Sequence, residues 1–447
     1  MKNTDMTQGS IFKHIIRFTI PLILSGILQV FYGMADTAVV GKFVGADALA
    51  AVGSSLPIIN MIINVFFGLG SATTIIVAQR IGAGDKNGVK RAVHTSLISA
   101  VILGAALAIL GICLAKPLLL AVNVPRDVIG LSSVYVRVYF LAMPVMLLFN
   151  FGSAALNAAG DSMRSTKYGI IAGALNVVFN LIFVIVFRWG VAGVAVATLM
   201  SQTLSCALTI RCLMKRNDSI RLDVKELKIH KKEMKELVRL GVPAGFQTTM
   251  ISASTVIVQT SVNSCGSVAM AGNSVAYNIE GMVYIAILSF FQTAVTFISQ
   301  NYGAQNFKRI RRGYIGILSA ALAFAAALSM IILWFSPKLL TFYTDSAAVS
   351  DFALMRLRIV LATYFLSAIS EVTNGAMRGL GSVNKAMVIT LLGDCGIRLF
   401  INFLGAPYNK PEDLKFLFWS SPIAWVVTGV ILMVMFIFES KKHKRRV

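Results

Sequence analysis

Gln79-Arg-Ile-Gly-Ala83 and Gln300-Asn-Tyr-Gly-Ala304 are one loop written twice, 221 residues apart. Each follows a long apolar run, and each precedes an arginine that recurs at the same interval, Arg91 and Arg312. The interval also relates Gly45-Ala-Asp-Ala-Leu-Ala50 to Gly266-Ser-Val-Ala-Met-Ala271, and Gly160 to Gly381. Pro21 and Pro243, with Lys13/Lys235 and Arg17/Arg239 beside them, repeat at 222. An offset held over this length marks two copies of one structural unit.

The composition places both copies in a bilayer. Of 447 residues, 57% are hydrophobic and 13% charged, with a mean hydropathy of +0.76, whereas soluble domains carry about 25% charge. The apolar runs are about 20 residues long, enough as helices to cross a hydrocarbon core of roughly 30 Å. They lack the period-two alternation of an outer-membrane barrel. Breaks at charged and Gly/Pro-rich stretches define twelve spans, at 12–40, 48–78, 92–116, 130–157, 168–187, 191–214, 240–263, 268–299, 314–336, 352–377, 386–404 and 416–438. The expected fold is therefore an all-α membrane protein of twelve transmembrane helices in two six-helix bundles. Residues 1–214 form the first bundle, 215–239 a basic linker, and 240–447 the second bundle with a basic tail. Six is even, so both copies start on one membrane side, and a pseudo-two-fold axis along the membrane normal follows.

A net charge of +22 in a soluble protein would suggest nucleic acid, but its placement here says otherwise. Thirty of the 41 Lys and Arg fall at the start of the chain, in alternate connections and in the tail Lys441–Arg446, which puts both termini on the cytoplasmic side. A nucleic-acid partner is excluded, and the tail also suits anionic lipid. No small-residue cleavage site follows the first apolar run, so no removable signal peptide is expected. The five cysteines (Cys113, Cys206, Cys212, Cys265, Cys395) have neither CxxC spacing nor histidine partners and are assigned to packing. In the linker, apolar residues at helical spacing from Val224 to Val238 predict an amphipathic surface helix, serving as a solvated connection in preference to a regulatory site.

Inside this apolar chain a few polar residues stand out. Asp36, in Phe31-Tyr-Gly-Met-Ala-Asp36-Thr-Ala-Val-Val-Gly41, is a carboxylate within a membrane-length run, a functional candidate unless extracellular water wets it near Lys42. Asn176 and Asn180 are four apart and share a helical face, fit either for interhelical hydrogen bonding or for presenting two amide oxygens to one ligand. The second copy has isoleucine at all three corresponding positions, Ile257, Ile397 and Ile401. Its own membrane acids Glu280, Glu371 and Asp394 correspond to Ile59, Asn150 and Gly173, so the two bundles differ in chemistry. Asp394 and Arg398, four apart, read as a structural ion pair. Glu371 is open to pairing with Arg398 or to binding a cation, and Glu280 to a cation or a buried hydrogen bond. Met143, Met146, Phe149, Met282, Tyr284 and Phe291 read as packing or lipid-facing residues before cavity walls.

Taken together, the repeat, the twelve spans and the motifs Ala50-Ala-Val-Gly53, Gln79-Arg-Ile-Gly-Ala-Gly-Asp85, Asn157-Ala-Ala-Gly-Asp161, Leu175-Asn-Val-Val-Phe-Asn180, Gly190-Val-Ala-Gly193 and Met377-Arg-Gly-Leu-Gly381 resemble the multidrug and toxic compound extrusion (MATE) family over nearly the whole chain. The resemblance implies a secondary exporter of lipophilic, often cationic small molecules, bacterial in type, in the cytoplasmic membrane. It implies a monomer that needs no cofactor and is driven by protons or sodium. It places the ion-coupling site at Asp36, Asn176, Asn180 and Thr198, which would also be the sodium site. Asn180 stands where that branch has an aspartate, and a single carboxylate tilts the choice of ion toward the proton. In some branches the tenth helix carries an aspartate at what is Ser367 here, which makes Glu371 a displaced counterpart. Glu280, Glu371 and Asp394 are thus candidates for a substrate or second coupling site.

Two other functions compete. A lipid-linked glycan flippase of related fold needs cations lining its cavity for pyrophosphate, whereas the interior charges singled out here are acidic. A membrane-embedded enzyme needs a nucleophile, metal or acid/base constellation, but His14, His94, His230 and His443 all lie at cytoplasmic ends or in polar segments.

Overall fold

The computed structural model describes residues 5–121, 124, 128–405, 408 and 413–444; the side chains of 36–38, 46, 47, 49, 54, 56–58, 60, 61 and 121 lie outside that description. Among the described residues the regular structure is entirely helical, in twelve long segments. These are α1 (Ile11–Phe43), α2 (Ala46–Gly82), α3 (Lys86–Ala121), α4 (Ile129–Leu141 continued by Met143–Ala158), α5 (Ser162–Val186) and α6 (Gly190–Met214). The second copy follows with α7 (Lys231–Asn263), α8 (Ser267–Gly303), α9 (Phe307–Leu340), α10 (Ala347–Gly379), α11 (Val383–Gly405) and α12 (Leu414–Lys444). Ten are long and apolar enough to cross a membrane singly, and the two halves of α4, bent by 45° ahead of Pro144, make an eleventh. α7 is as long as α1 at 33 residues, but its Ser, Thr, Gln and basic residues dilute the hydropathy.

The repeat is visible element by element. α2 and α8 both contain 37 residues and begin 221 apart, after Gly45 and Gly266 at φ 112° and 94°. A residue with a Cβ is strained there, which accounts for glycine at both copies of that turn. Asp161 caps α5 by accepting the Arg164 backbone N–H at 3.3 Å, and Asn306 caps α9 through Arg309 N–H at 3.1 Å. α5 ends in a π-helical turn at Ile182–Val186, and α11 contains one at Leu391–Ile397.

Packing divides the chain into two compact units: Leu24–Gly245 make one, and Met6–Ile23 with Phe246–Val447 the other. The paired loops at Gln79–Ala83 and Gln300–Ala304 explain the exchange of segments. In the first unit Arg80 binds Glu233 and Glu236, each at 2.8 Å, and Arg91 Nε binds Glu233 at 3.0 Å, fixing the first turns of α7. In the second unit Asn301 Nδ2 and Arg309 Nε donate to the Met6 carbonyl at 3.2 and 2.9 Å, while Gln300 accepts Met6 N–H at 3.0 Å. Each copy of the loop thus holds the segment that leads into a first helix.

The linker departs from its expected form. Val224–Glu226 is a single 3-10 turn, and helix resumes only at Lys231, running on as α7. Side chains of α3 hold the segment: His94 meets the Asp223 backbone at 3.1 Å, and Thr95 accepts His230 N–H at 3.1 Å. Asp223 also draws Lys225 N–H into a cap, so local hydrogen bonds outcompete a free amphipathic helix. Burial alone would raise the Glu233 carboxyl, but hydrogen bonds from Arg91, its own backbone and Arg80 outweigh this and lower it.

Candidate functional site

In the first unit α5 and α6 pack together and bring three of the predicted residues into one chain of hydrogen bonds. Thr198 Oγ1 donates to the Val194 carbonyl one turn back at 3.1 Å, so it accepts from Asn176 Nδ2 at 3.4 Å. Asn176 Oδ1 accepts in turn from Asn180 Nδ2 at 3.3 Å. The direction of donation is thereby fixed from Asn180 through Asn176 and Thr198 to the backbone. Asn180 is fully buried and Asn176 nearly so. Asp36 lies on α1, and its side chain is outside the described residues.

Beside this chain lies a cavity of about 460 Å³, with Asn176 and Thr198 in its wall. Met143, Met146 and Phe149, assigned from sequence to packing first, line it as well. So do Ser201, Gln202 and Ser205, which continue the polar face of Thr198 at helical spacing. That i, i+3, i+4, i+7 stripe is the signal in the sequence for these three lining residues. Asn150 Oδ1, also in the wall, is buried with no hydrogen-bond partner among the described residues. Tyr32 on α1 lies against Gly173 on α5, where any Cβ would collide with its ring, and its hydroxyl donates to the Ile170 carbonyl at 3.3 Å.

The second unit contains a different arrangement. Glu280 does not stand ready for a cation: Arg356 Nε and Nη2 bind its two oxygens at 2.8 and 2.7 Å. Arg356 also donates to Asn273, which donates to Gln259 at 2.6 Å, and its guanidinium lies 5.2 Å from the Phe418 ring. Arg356 is 76 residues from Glu280, and nothing in the sequence pairs them. The Asp394–Arg398 ion pair expected from spacing is not formed. The π-helical turn across Leu391–Ile397 replaces i→i+4 by i→i+5 spacing, which unstacks residues four apart. Asp394 Oδ2 instead accepts from Ser370 Oγ at 3.3 Å. Asp394 Oδ1 and Arg398 Nε are buried without hydrogen-bond partners among the described residues. Glu371, half-buried on α10, likewise pairs with neither Arg398 nor another base among them. Arg378, on the same helix, donates to Gln247 at 2.8 Å and Asn374 at 3.2 Å.

A family model described as MatE matches residues 21–182 and again 243–404, the two copies already evident in the helices. The chain belongs to the MATE family. Its curated relatives include the probable multidrug resistance protein YoeA of Bacillus subtilis, 28% identical over 445 residues, covering 98% of this chain and 96% of the relative. The multidrug export protein MepA of Staphylococcus saprophyticus is 20% identical over 387 residues, 86% of this chain and 85% of the relative. Among solved structures, an outward-facing multidrug resistance MATE family transporter of the MOP superfamily superposes with a TM-score of 0.93 at 23% identity, over 100% of this chain and 99% of that one. The chain is therefore a multi-pass MATE transporter and not an enzyme, and its twelve helices are those of a MATE fold.

Proposed function

We propose that this MATE transporter exports lipophilic, often cationic small molecules by cation-coupled antiport and alternating access, with Asp36, Asn176, Asn180 and Thr198 as the coupling site. The observation that carries the reading is the hydrogen-bonded run Asn180–Asn176–Thr198 beside the cavity of the first unit. Buried amides in an apolar bundle supply oxygens for an ion and partners for a carboxylate. Tyr32 supports the place of Asp36. It puts its face of α1 on α5 at Gly173, and Asp36 follows it by four residues as Asn176 follows Gly173 by three, on two odd-numbered spans that run in the same direction. A lone acid on that face is neutralised by taking up a proton when water is excluded, and the proton is our choice of coupling ion over sodium.

The cavity wall suits the proposed cargo. None of the described residues lining it is Lys or Arg, whereas methionine and aromatic side chains with scattered neutral acceptors accommodate varied apolar molecules. This favours an exporter over a pyrophosphate-binding flippase. We place the protein as a monomer in the cytoplasmic membrane, and its termini inside on the distribution of its Lys and Arg.

The test is efflux from cells and proteoliposomes under proton-only and sodium-only gradients, wild type against Asp36→Asn. The variant should insert normally and lose gradient-driven efflux of a cationic dye. Wild-type efflux rates in a well-expressed variant would defeat the site, and efflux driven by sodium alone would reverse the choice of ion.

A further inference from the structure

A second cavity of the first unit, about 510 Å³, lies apart from the one beside the coupling residues. It lies where α5 begins and α6 ends, lined by Arg164, Tyr168, Cys212, Lys215, Arg216, Asn217 and Asp218. Arg216 forms its rigid floor. Its guanidinium is held by Asp218 at 2.6 to 3.1 Å and by Asp161 at 2.9 Å, and only 5% of the side chain is exposed. Burial by itself would lower the Arg216 guanidinium, and the hydrogen bonds it donates to Asp218 and Asp161 outweigh this and raise it.

That network occupies both acids of the site. Asp161 is shared between Arg216, Arg164 at 3.1 Å and the cap of α5, and Asp218 grips Arg216 through both oxygens. Lys215 on the rim is exposed and forms no ion pair among the described residues. Exposed Lys167 and Arg211 stand one turn from Arg164 and Lys215 on the same two helices. Five cations therefore face two acids, both already engaged. Next to Arg164 and Lys215 in the chain, Met163 and Met214 are 50% and 44% exposed, and Tyr168 in the lining is of a residue type enriched at membrane interfaces.

From these features we infer that this cavity binds the phosphate headgroup of an anionic phospholipid, whose acyl chains run down the exposed faces of α5 and α6. Lys215 and Arg164 contact the phosphate; Arg216, locked by its acids, shapes the floor without donating to it. Basic pockets between membrane helices on the cytoplasmic side are suited to such headgroups, and the pocket lies on the face that carries this chain's basic connections. The inference is independent of the coupling site and of which ion drives transport.

Native mass spectrometry of the full-length protein in detergent tests it. Phosphatidylglycerol, phosphatidylcholine and inorganic phosphate are titrated separately against wild type, Lys215→Gln, Arg164→Gln/Lys215→Gln and a control, Lys232→Gln, an exposed lysine on α7. Wild type and the control should retain phosphatidylglycerol in preference to phosphatidylcholine, Lys215→Gln should bind it several-fold more weakly, and the double variant at least tenfold more weakly. If Arg164→Gln prevents folding, as melting would reveal, Lys215→Gln alone decides. Equal retention of the two lipids, undiminished binding in Lys215→Gln, or displacement of the lipid by inorganic phosphate at matching concentration would overturn the assignment, the last by identifying a soluble-anion site.

Discussion

Asn180→Leu separates an ion-coupling cluster from a purely structural hydrogen bond. The substitution keeps the side chain's approximate length and removes the Nδ2 that Asn176 accepts at 3.3 Å. A hydrogen bond of this kind, made within one helix, contributes about 0.5 to 1.5 kcal/mol, and leucine regains part of that by packing at a fully buried position. The net loss is about 1 kcal/mol, which for a chain this long lowers the melting midpoint by only about 1 to 2 °C. Transport should respond on another scale. Removing an oxygen ligand leaves the ion or proton site short of about 1 to 3 kcal/mol, so coupled efflux falls at least tenfold, since about 1.4 kcal/mol is a factor of ten. Melting in detergent and dye efflux at matched expression read the two effects separately. Asn180→Asp sharpens the contrast: only the protonated acid can donate to Asn176 Oδ1, so efflux in that variant should fall as pH rises, more steeply than in wild type. Wild-type efflux in Asn180→Leu, or an efflux loss no greater than its loss of folded protein, would refute the coupling role.

Other consequences follow from the packing. Arg356→Met leaves Glu280, with 4% of its side chain exposed, buried without a counter-charge and should cost about 3 to 5 kcal/mol; Arg356→Met with Glu280→Leu should recover part of it. A double variant that melts no higher than the single would show that the pair is not what holds that region. Gly68→Ala should cost about 1 to 3 kcal/mol by overpacking, because the new Cβ falls on the Gly245 backbone and within 2.7 Å of the Gly241 carbonyl where α2 crosses α7. An unchanged melting midpoint would mean that this crossing relaxes freely. Glu233, ahead of the spanning part of α7, has its carboxyl lowered by Arg91 and Arg80 despite burial. Its stabilising contribution is therefore complete above the unfolded value of about 4.3 and is lost as pH falls through the lower folded value. The difference in melting midpoint between wild type and Glu233→Gln should hold from neutral pH to about pH 5 and shrink below about pH 4; a constant difference down to pH 3 would contradict it.

Fold class, span number and the repeat were available from the sequence because they depend on local quantities: apolar length, charge in the connections, and motifs at a fixed interval. Asn176 and Asn180 were legible for the same reason, since four residues along a helix is a local relation, and Thr198 came through family resemblance. The polar stripe from Thr198 to Ser205 carried a local signal too. Tertiary structure alone decided the rest. Glu280 lies 76 residues from Arg356, and that pair depends on how α8 and α10 pack. The Asp394–Arg398 pair was lost to a π-helical turn that spacing cannot foresee. The linker's basic and apolar pattern was compatible with a free surface helix, until His94 and Thr95 on α3 supplied partners for its backbone. Sequence by itself thus determined which residues are expensive to place in a membrane; the packing of helices distant in the chain determined which of them are already spent on each other.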